Sequence, residues 1–109
     1  ALASHYAPSA AVTVVRTAAE FQRESRRHLL GADVGVIGLA DDVTACPASW
    51  FRLASPATVD DYARELYSAL RLADEQGLTQ VIALAPPNVG IGVAILDRLT
   101  RASSDAQAR

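Results

Sequence analysis

The sequence predicts a small three-layer α/β domain, with helices on both faces of a mainly parallel four-stranded sheet. Three observations lead there. Apolar runs of strand length alternate with segments of helical period along the chain. Val34-Gly35-Val36-Ile37-Gly38-Leu39-Ala40 is almost continuously apolar, the pattern of a strand covered on both sides. Near the end, Gln80-Val81-Ile82-Ala83-Leu84 runs through Pro86 and Pro87 into a turn with two glycines and then an amphipathic helix. At 109 residues and 11.5 kDa the chain holds one core and has no room for two.

Residues 1–11 are small and alternate alanine with serine around Pro8, so they read as a linker to a domain over 12–102. Val12-Thr13-Val14-Val15-Arg16 is rich in β-branched residues and forms the first strand. Thr17 stands three residues before Glu20, a capping box that opens a helix from Ala18 to about Leu30, with Gly31 as its C-cap. Glu24 followed by Arg27 and His28 places acid early and base late, as the helix dipole favours. The apolar run from Val34 is the second strand, Asp41 to Ser49 a loop, and Trp50-Phe51-Arg52-Leu53 a short third strand.

Thr58 or Ser55 caps the longest helix, whose apolar stripe is Val59, Tyr62, Ala63, Leu66, Leu70 and Ala73. Asp60 and Arg64 are spaced for an ion pair on it, and Gly77 ends it. Strand four follows, and the glycine turn launches a last helix to about Ala102, with Asp97 and Arg101 again at ion-pair spacing. Residues 103–109 read as a flexible tail. Right-handed crossovers suggest the strand order 3-2-1-4.

Composition excludes several functions. Half the residues are hydrophobic, a fifth are charged and the net charge is −2, with no basic run, so direct nucleic-acid binding is not expected. All ten basic residues are arginine, which removes the P-loop lysine and Schiff-base chemistry. No apolar run approaches the roughly 20 residues of a membrane span, and no signal-peptide pattern opens the chain. The single cysteine, Cys46, has no intramolecular partner, which fits a reducing cytoplasm. An opening Ala1 in place of methionine suggests processing or a segment of something longer.

Among candidate sites, Asn88, Gly90 and Gly92 could seat a phosphate or carboxylate on the amides of the last helix; they could equally let that helix lie close to the sheet. Gly90-Ile91-Gly92 is not the full dinucleotide fingerprint and follows the last strand rather than the first. His5 and Tyr6 offer hydrogen bonds and a stacking face from the linker, or simply anchor it. Asp41 and Asp42 follow strand two, at the edge where open α/β sheets hold ligands, but no histidine or third carboxylate is tied to them by spacing. Cys46 has no evident activating base, and no metal-ligating pattern occurs. Nothing forms a self-sufficient catalytic constellation.

Three segments in order carry a family resemblance. Leu2-Ala3-Ser4-His5-Tyr6-Ala7-Pro8 resembles the interdomain linker of the two-domain L-threonylcarbamoyladenylate synthases. Asp61-Tyr62-Ala63-Arg64-Glu65-Leu66-Tyr67-Ser68-Ala69-Leu70-Arg71 resembles the long helix of their C-terminal domain, with Asp74 and Gly77 where that family has them. Pro87 through Leu99 is similar to that domain's closing glycine turn and Ala-Ile-x-Asp-Arg-Leu helix. The Ser-Pro-Gly-Met that usually precedes the linker motif is missing, and Ala3-Ser4 replaces the more basic residues of some relatives.

The resemblance implies a Rossmann-like accessory domain. Its parent enzyme would condense threonine, bicarbonate and ATP, with Mg accompanying the nucleotide, to threonylcarbamoyl-AMP for tRNA modification. Catalysis would reside in an N-terminal YrdC-like domain, in cis or supplied in trans, and this domain would carry no cofactor. His5, Tyr6 and Pro8 would be gating residues of a linker folded over the catalytic cavity. A stand-alone nucleotide- or anion-binding sensor, using the glycine turn, is the alternative.

Overall fold

A computed structural model describes residues 7–107 of the chain. Four strands form one all-parallel sheet: β1 (Ala11–Val15), β2 (Val34–Ile37), β3 (Phe51–Ala54) and β4 (Gln80–Leu84). Between and after them come α1 (Ala18–Arg27), a single turn α2 (Ala40–Val43), α3 (Val59–Glu75) and α4 (Ile91–Gln107). None of the helices described is long and apolar enough to cross a membrane.

The predicted class holds, and the predicted strand order does not. The sheet runs β1-β4-β2-β3, with β4 inserted between β1 and β2, in place of 3-2-1-4. Side-chain chemistry explains the exchange. Every residue from Val81 to Leu84 is buried, whereas Thr13 and Val14 of β1 are only half-buried. The more completely apolar strand takes the centre and the mixed one takes an edge.

Alternation along the strands divides the core in two. Val12, Ile37, Val81 and Ala83 face one side, beneath Tyr62, Leu66 and Leu70 of α3 and Ile95 and Leu99 of α4. Val15, Val34, Val36, Ile82 and Leu84 face the other, where Val43, Cys46 and Trp50 cover them and Phe21 of α1 packs alongside. Each large apolar side chain fully buried here, such as Leu66 or Ile95, contributes about 1.5–3 kcal/mol. Tyr62 has no exposed surface, and its hydroxyl donates to the Leu84 carbonyl at 3.0 Å. Burial first, then the Asp42 carboxylate, raises the Tyr62 phenol above its ordinary pKa, so it remains a donor.

Local details follow the expected chemistry with shifted ends. Thr17 and Glu20 form the reciprocal capping box, and Thr58 caps α3. Gly77, at φ 67°, takes the left-handed position after α3. The α1 helix stops at a His28 C-cap rather than at Gly31, held by the Trp50 indole N–H donating to the His28 carbonyl at 2.9 Å. On α3, Arg64 pairs with Asp61 at 2.8 Å in place of Asp60, while the expected Asp97–Arg101 pair forms at 3.1 Å. Residues 103–107, expected in the tail, continue α4; Ala102 is buried against the sheet and no proline or glycine interrupts the run.

At the amino edge of the sheet Asp33 clamps β4. Its carbonyl accepts the Thr79 and Gln80 N–H groups at 2.9 and 3.3 Å, and its carboxylate accepts the Thr79 hydroxyl. That hydroxyl contact is the main cause holding the Asp33 pKa below its usual value.

Two outcomes test this account. Tyr62→Phe leaves the buried Leu84 carbonyl without its donor and lowers the unfolding free energy in urea by about 1–3 kcal/mol. Thr79→Val returns the Asp33 pKa toward the ordinary carboxylate value, read by carbon NMR titration. Because a depressed carboxylate stabilises the fold above its unfolded pKa, the parent loses this contribution as pH falls through the folded value, and Thr79→Val lacks that acid-side loss.

Candidate functional site

The carboxyl edge of the sheet carries the glycine turn. Strand β4 ends at Leu84, and Pro86 and Pro87 block further pairing. Gly90 sits at φ 56°, a left-handed conformation that a side chain disfavours, with open space around it. Gly92 is different: a Cβ there would fall on the Pro87 carbonyl oxygen. The turn closes on itself, with Val89 N–H donating to Pro87 O, Gly92 N–H to Val89 O and Val93 N–H to Gly90 O. Those three amides are turned toward carbonyls of the turn itself. Asn88, Gly90 and the apolar Val89, Ile91 and Val93 are exposed around it.

Beside this turn lies a cleft of about 340 Å³, lined by Val15, Thr17 and Phe21 from the β1–α1 segment, Asp41 and Asp42 of α2, and Leu84 with Ala85 after β4. Asn88, Gly90 and Gly92 do not line it. Asp41 and Asp42, read from the sequence as an acidic start to a loop, instead open the helical turn α2 and face this cleft. Sequence spacing could not reveal that, because the strand order brings β4 and α2 together. Arg16 also touches the cleft, but its guanidinium reaches to α4 and donates to the Thr100 hydroxyl at 3.1 Å.

Cys46 is 7% exposed, and burial pushes its thiol pKa up, with Arg52 partly offsetting and Asp42 adding to the rise. It is held as a thiol rather than a nucleophilic thiolate. Arg52 ties down the surrounding loop by donating to the Pro47, Trp50 and Cys46 carbonyls at 2.9, 2.8 and 3.3 Å. Among the described residues no cluster of histidine, cysteine and carboxylates is arranged to hold a metal.

The opposite, amino edge receives the linker. Ala7, Pro8 and Ala10 are buried, and the Ser9 N–H donates to the Asp74 carboxylate at 2.8 Å, at the end of α3. Pro8, expected to belong to a linker, is thus packed into the domain. His5 and Tyr6 lie outside the described residues.

Comparison with known proteins gives a consistent answer. The family model described as threonylcarbamoyl-AMP synthase, C-terminal domain, matches residues 1–104. Threonylcarbamoyl-AMP synthase of Pyrococcus abyssi is 37% identical over 109 residues, covering 91% of this chain and 29% of that protein. Its counterpart in Bacillus subtilis is 31% identical over 107 residues, covering 92% of this chain and 30% of that protein. The crystal structure of P. abyssi Sua5 complexed with L-threonine aligns at a TM-score of 0.70 and 32% identity, over 92% of this chain and 30% of that one. A P. abyssi Sua5 variant, with a consecutive histidine and tyrosine changed to alanine, aligns at 0.65 and 30% identity, over 89% and 28%. The chain therefore spans under a third of the length of these relatives.

The two glycines of the turn differ in a measurable way. Gly92→Ala forces backbone apart and costs about 3 kcal/mol in chemical unfolding. Gly90→Ala meets no neighbour and costs about 1–2 kcal/mol, the strain of a left-handed alanine. A neutral Gly92→Ala would refute the close approach of α4 to the Pro87 carbonyl.

Proposed function

Since the chain belongs to the family of threonylcarbamoyl-AMP synthase C-terminal domains, we propose that it is the accessory, substrate-gating part of an enzyme whose catalytic, YrdC-like domain precedes it. The parent would use threonine, bicarbonate and ATP to make threonylcarbamoyl-AMP and pyrophosphate in the cytoplasm, for tRNA threonylcarbamoyladenosine. Mg would accompany the nucleotide there. The relatives, more than three times as long as the stretch they share with this chain, leave room for such a domain.

One observation carries the gating role: the way the linker is fixed where it meets this domain. Burial of Ala7, Pro8 and Ala10, with the Ser9–Asp74 hydrogen bond, holds the backbone at the amino edge. An extended chain advances at most ~3.6 Å per residue, so the His5 Cα stays within about 7 Å of the Ala7 Cα. The chain is thus fixed to this domain from Ala7 onward, immediately after the His5–Tyr6 pair. This chain has a single consecutive histidine–tyrosine pair, His5–Tyr6, and a pair of that kind is what was replaced in the P. abyssi variant.

Chemistry gives the pair a purpose. Threonylcarbamoyl-AMP is a mixed anhydride of a carbamic and a phosphoric acid, and water destroys it. A ring pair closing over the catalytic cavity would exclude water and hydrogen-bond the nucleotide or threonine through the imidazole and phenol. The domain supplies the anchor, and the linker supplies the side chains. A nucleotide sensor at the glycine turn has less support, because three of the turn's amides already meet carbonyls within it.

The test uses the full-length parent polypeptide and the isolated 109-residue chain. The isolated chain should release no pyrophosphate from ATP, threonine and bicarbonate. In the parent, His5→Ala combined with Tyr6→Ala should lower threonylcarbamoyl-AMP yield by about tenfold or more, as loss of a closing element does. The circular-dichroism melt of the C-terminal domain should be unchanged. Turnover by the isolated chain would sink the accessory role, and a double variant as productive as the parent would sink the gating role.

A further inference from the structure

We propose that the cleft between the carboxyl ends of β1 and β4 is a binding site for a small organic ammonium ion with an apolar body. Its position is the first ground. Helix α1, which follows β1, packs on one face of the sheet, and α4, which follows the neighbouring β4, packs on the other. Chains that leave adjacent parallel strands in opposite directions open a crevice between them, and that is where open α/β sheets bind ligands. The observed 340 Å³ falls at the lower end of the roughly 300–1,000 Å³ of small-molecule clefts.

The second ground is what the cleft rejects. In nucleotide-binding relatives of this architecture the amides opening the first helix hold a phosphate. Here Arg16-Thr17-Ala18-Ala19 contains no glycine, and the protein's own carboxylate lies at the helix opening. Glu20 Oε1 accepts the Arg16 N–H at 2.7 Å and the Thr17 N–H at 3.2 Å. The nearby cation, Arg16, donates to Thr100 on α4. An anion arriving at this turn would meet three carboxylates, Glu20 at the helix opening and Asp41 and Asp42 in the cleft. Against them stands Arg16, the single cation among the described residues there, whose guanidinium is drawn toward α4.

The third ground is what remains. Val15, Phe21, Leu84 and Ala45 offer an apolar surface, and Asp41 and Asp42 line the same cleft from α2. Both aspartates are exposed to solvent and neither belongs to the ion pairs found among the described residues. An ammonium group would lie against these carboxylates while its hydrocarbon part covers the apolar surface. The site is independent of the gating role: it lies at the opposite edge of the sheet from the linker.

Backbone-amide NMR of the chain titrated with phenethylammonium chloride tests the assignment, with 3-phenylpropionate as the anionic match in shape. Phenethylammonium should give saturable shifts at Thr17, Phe21, Asp42, Ala45 and Ala85, and phenylpropionate should give none there. Asp41→Asn combined with Asp42→Asn should weaken binding at least tenfold, and Ala45→Phe should abolish it by filling the cleft. Unchanged signals from Val12 and Leu99 on the far face report an intact fold in each variant. Absence of saturable shifts with phenethylammonium, equal binding of phenylpropionate, or parental affinity in both the double aspartate variant and Ala45→Phe would overturn the proposal.

Discussion

The rest of this structure depends on the burial of one strand. Val81, Ile82 and Ala83 of β4 have no exposed surface, and β4 hydrogen-bonds to β1 along one side and β2 along the other. A parallel strand in that position needs an apolar cover on both faces and a partner on both edges. Its two faces recruit the two cores: Val81 and Ala83 face α3 and α4, while Ile82 and Leu84 face the Trp50 side. Asp33 sets its start against β2, and the Tyr62 hydroxyl meets its last carbonyl. Long helices therefore enter and leave the sheet at its centre, and the β1–β4 crevice exists because of that placement.

The sequence revealed elements better than neighbours. Capping residues Thr17 and Thr58 started their helices, and Gly77 followed the end of α3, because those signals act within a few residues. Strand order is a non-local choice. Val12-Thr13-Val14-Val15 and Gln80-Val81-Ile82-Ala83-Leu84 both read as strands, and only the polar Thr13 hinted that β1 belonged at an edge. Reading apolar continuity as a ranking of centrality would have placed β4 inside the sheet and β1 at an edge. The short turn α2 was hidden for another reason: four residues carry too little periodicity to register.

Site residues divided in the same way. Asn88, Gly90 and Gly92 were visible as a turn, yet what distinguishes Gly92 is its closeness to a backbone carbonyl. That closeness is a property of two chain segments and has no local signature. Pro8 was legible as part of a linker, but its burial required the end of α3 to be nearby. Asp41, Asp42 and Phe21 are separated in sequence and share a cleft only after the sheet assembles. A signature that identifies a family and a set of residues that touches a ligand are therefore different objects here.

The two edges of the sheet are consequently different surfaces. At the amino edge, Asp74 and buried Ala7, Pro8 and Ala10 hold the linker. At the carboxyl edge, the cleft and the closed glycine turn lie beyond Val15 and Leu84. The five-residue strands β1 and β4 separate the edges by about 16 Å, at ~3.3 Å per residue. A small molecule in the cleft cannot touch the linker anchor across that distance. The direct covalent route between the two edges is β1, which joins the linker at Ala11 and reaches the cleft at Val15. That strand is at an edge with Thr13 and Val14 only half-buried, yet Val12 belongs to one core and Val15 to the other, so a shift in it would be felt on both faces of the sheet.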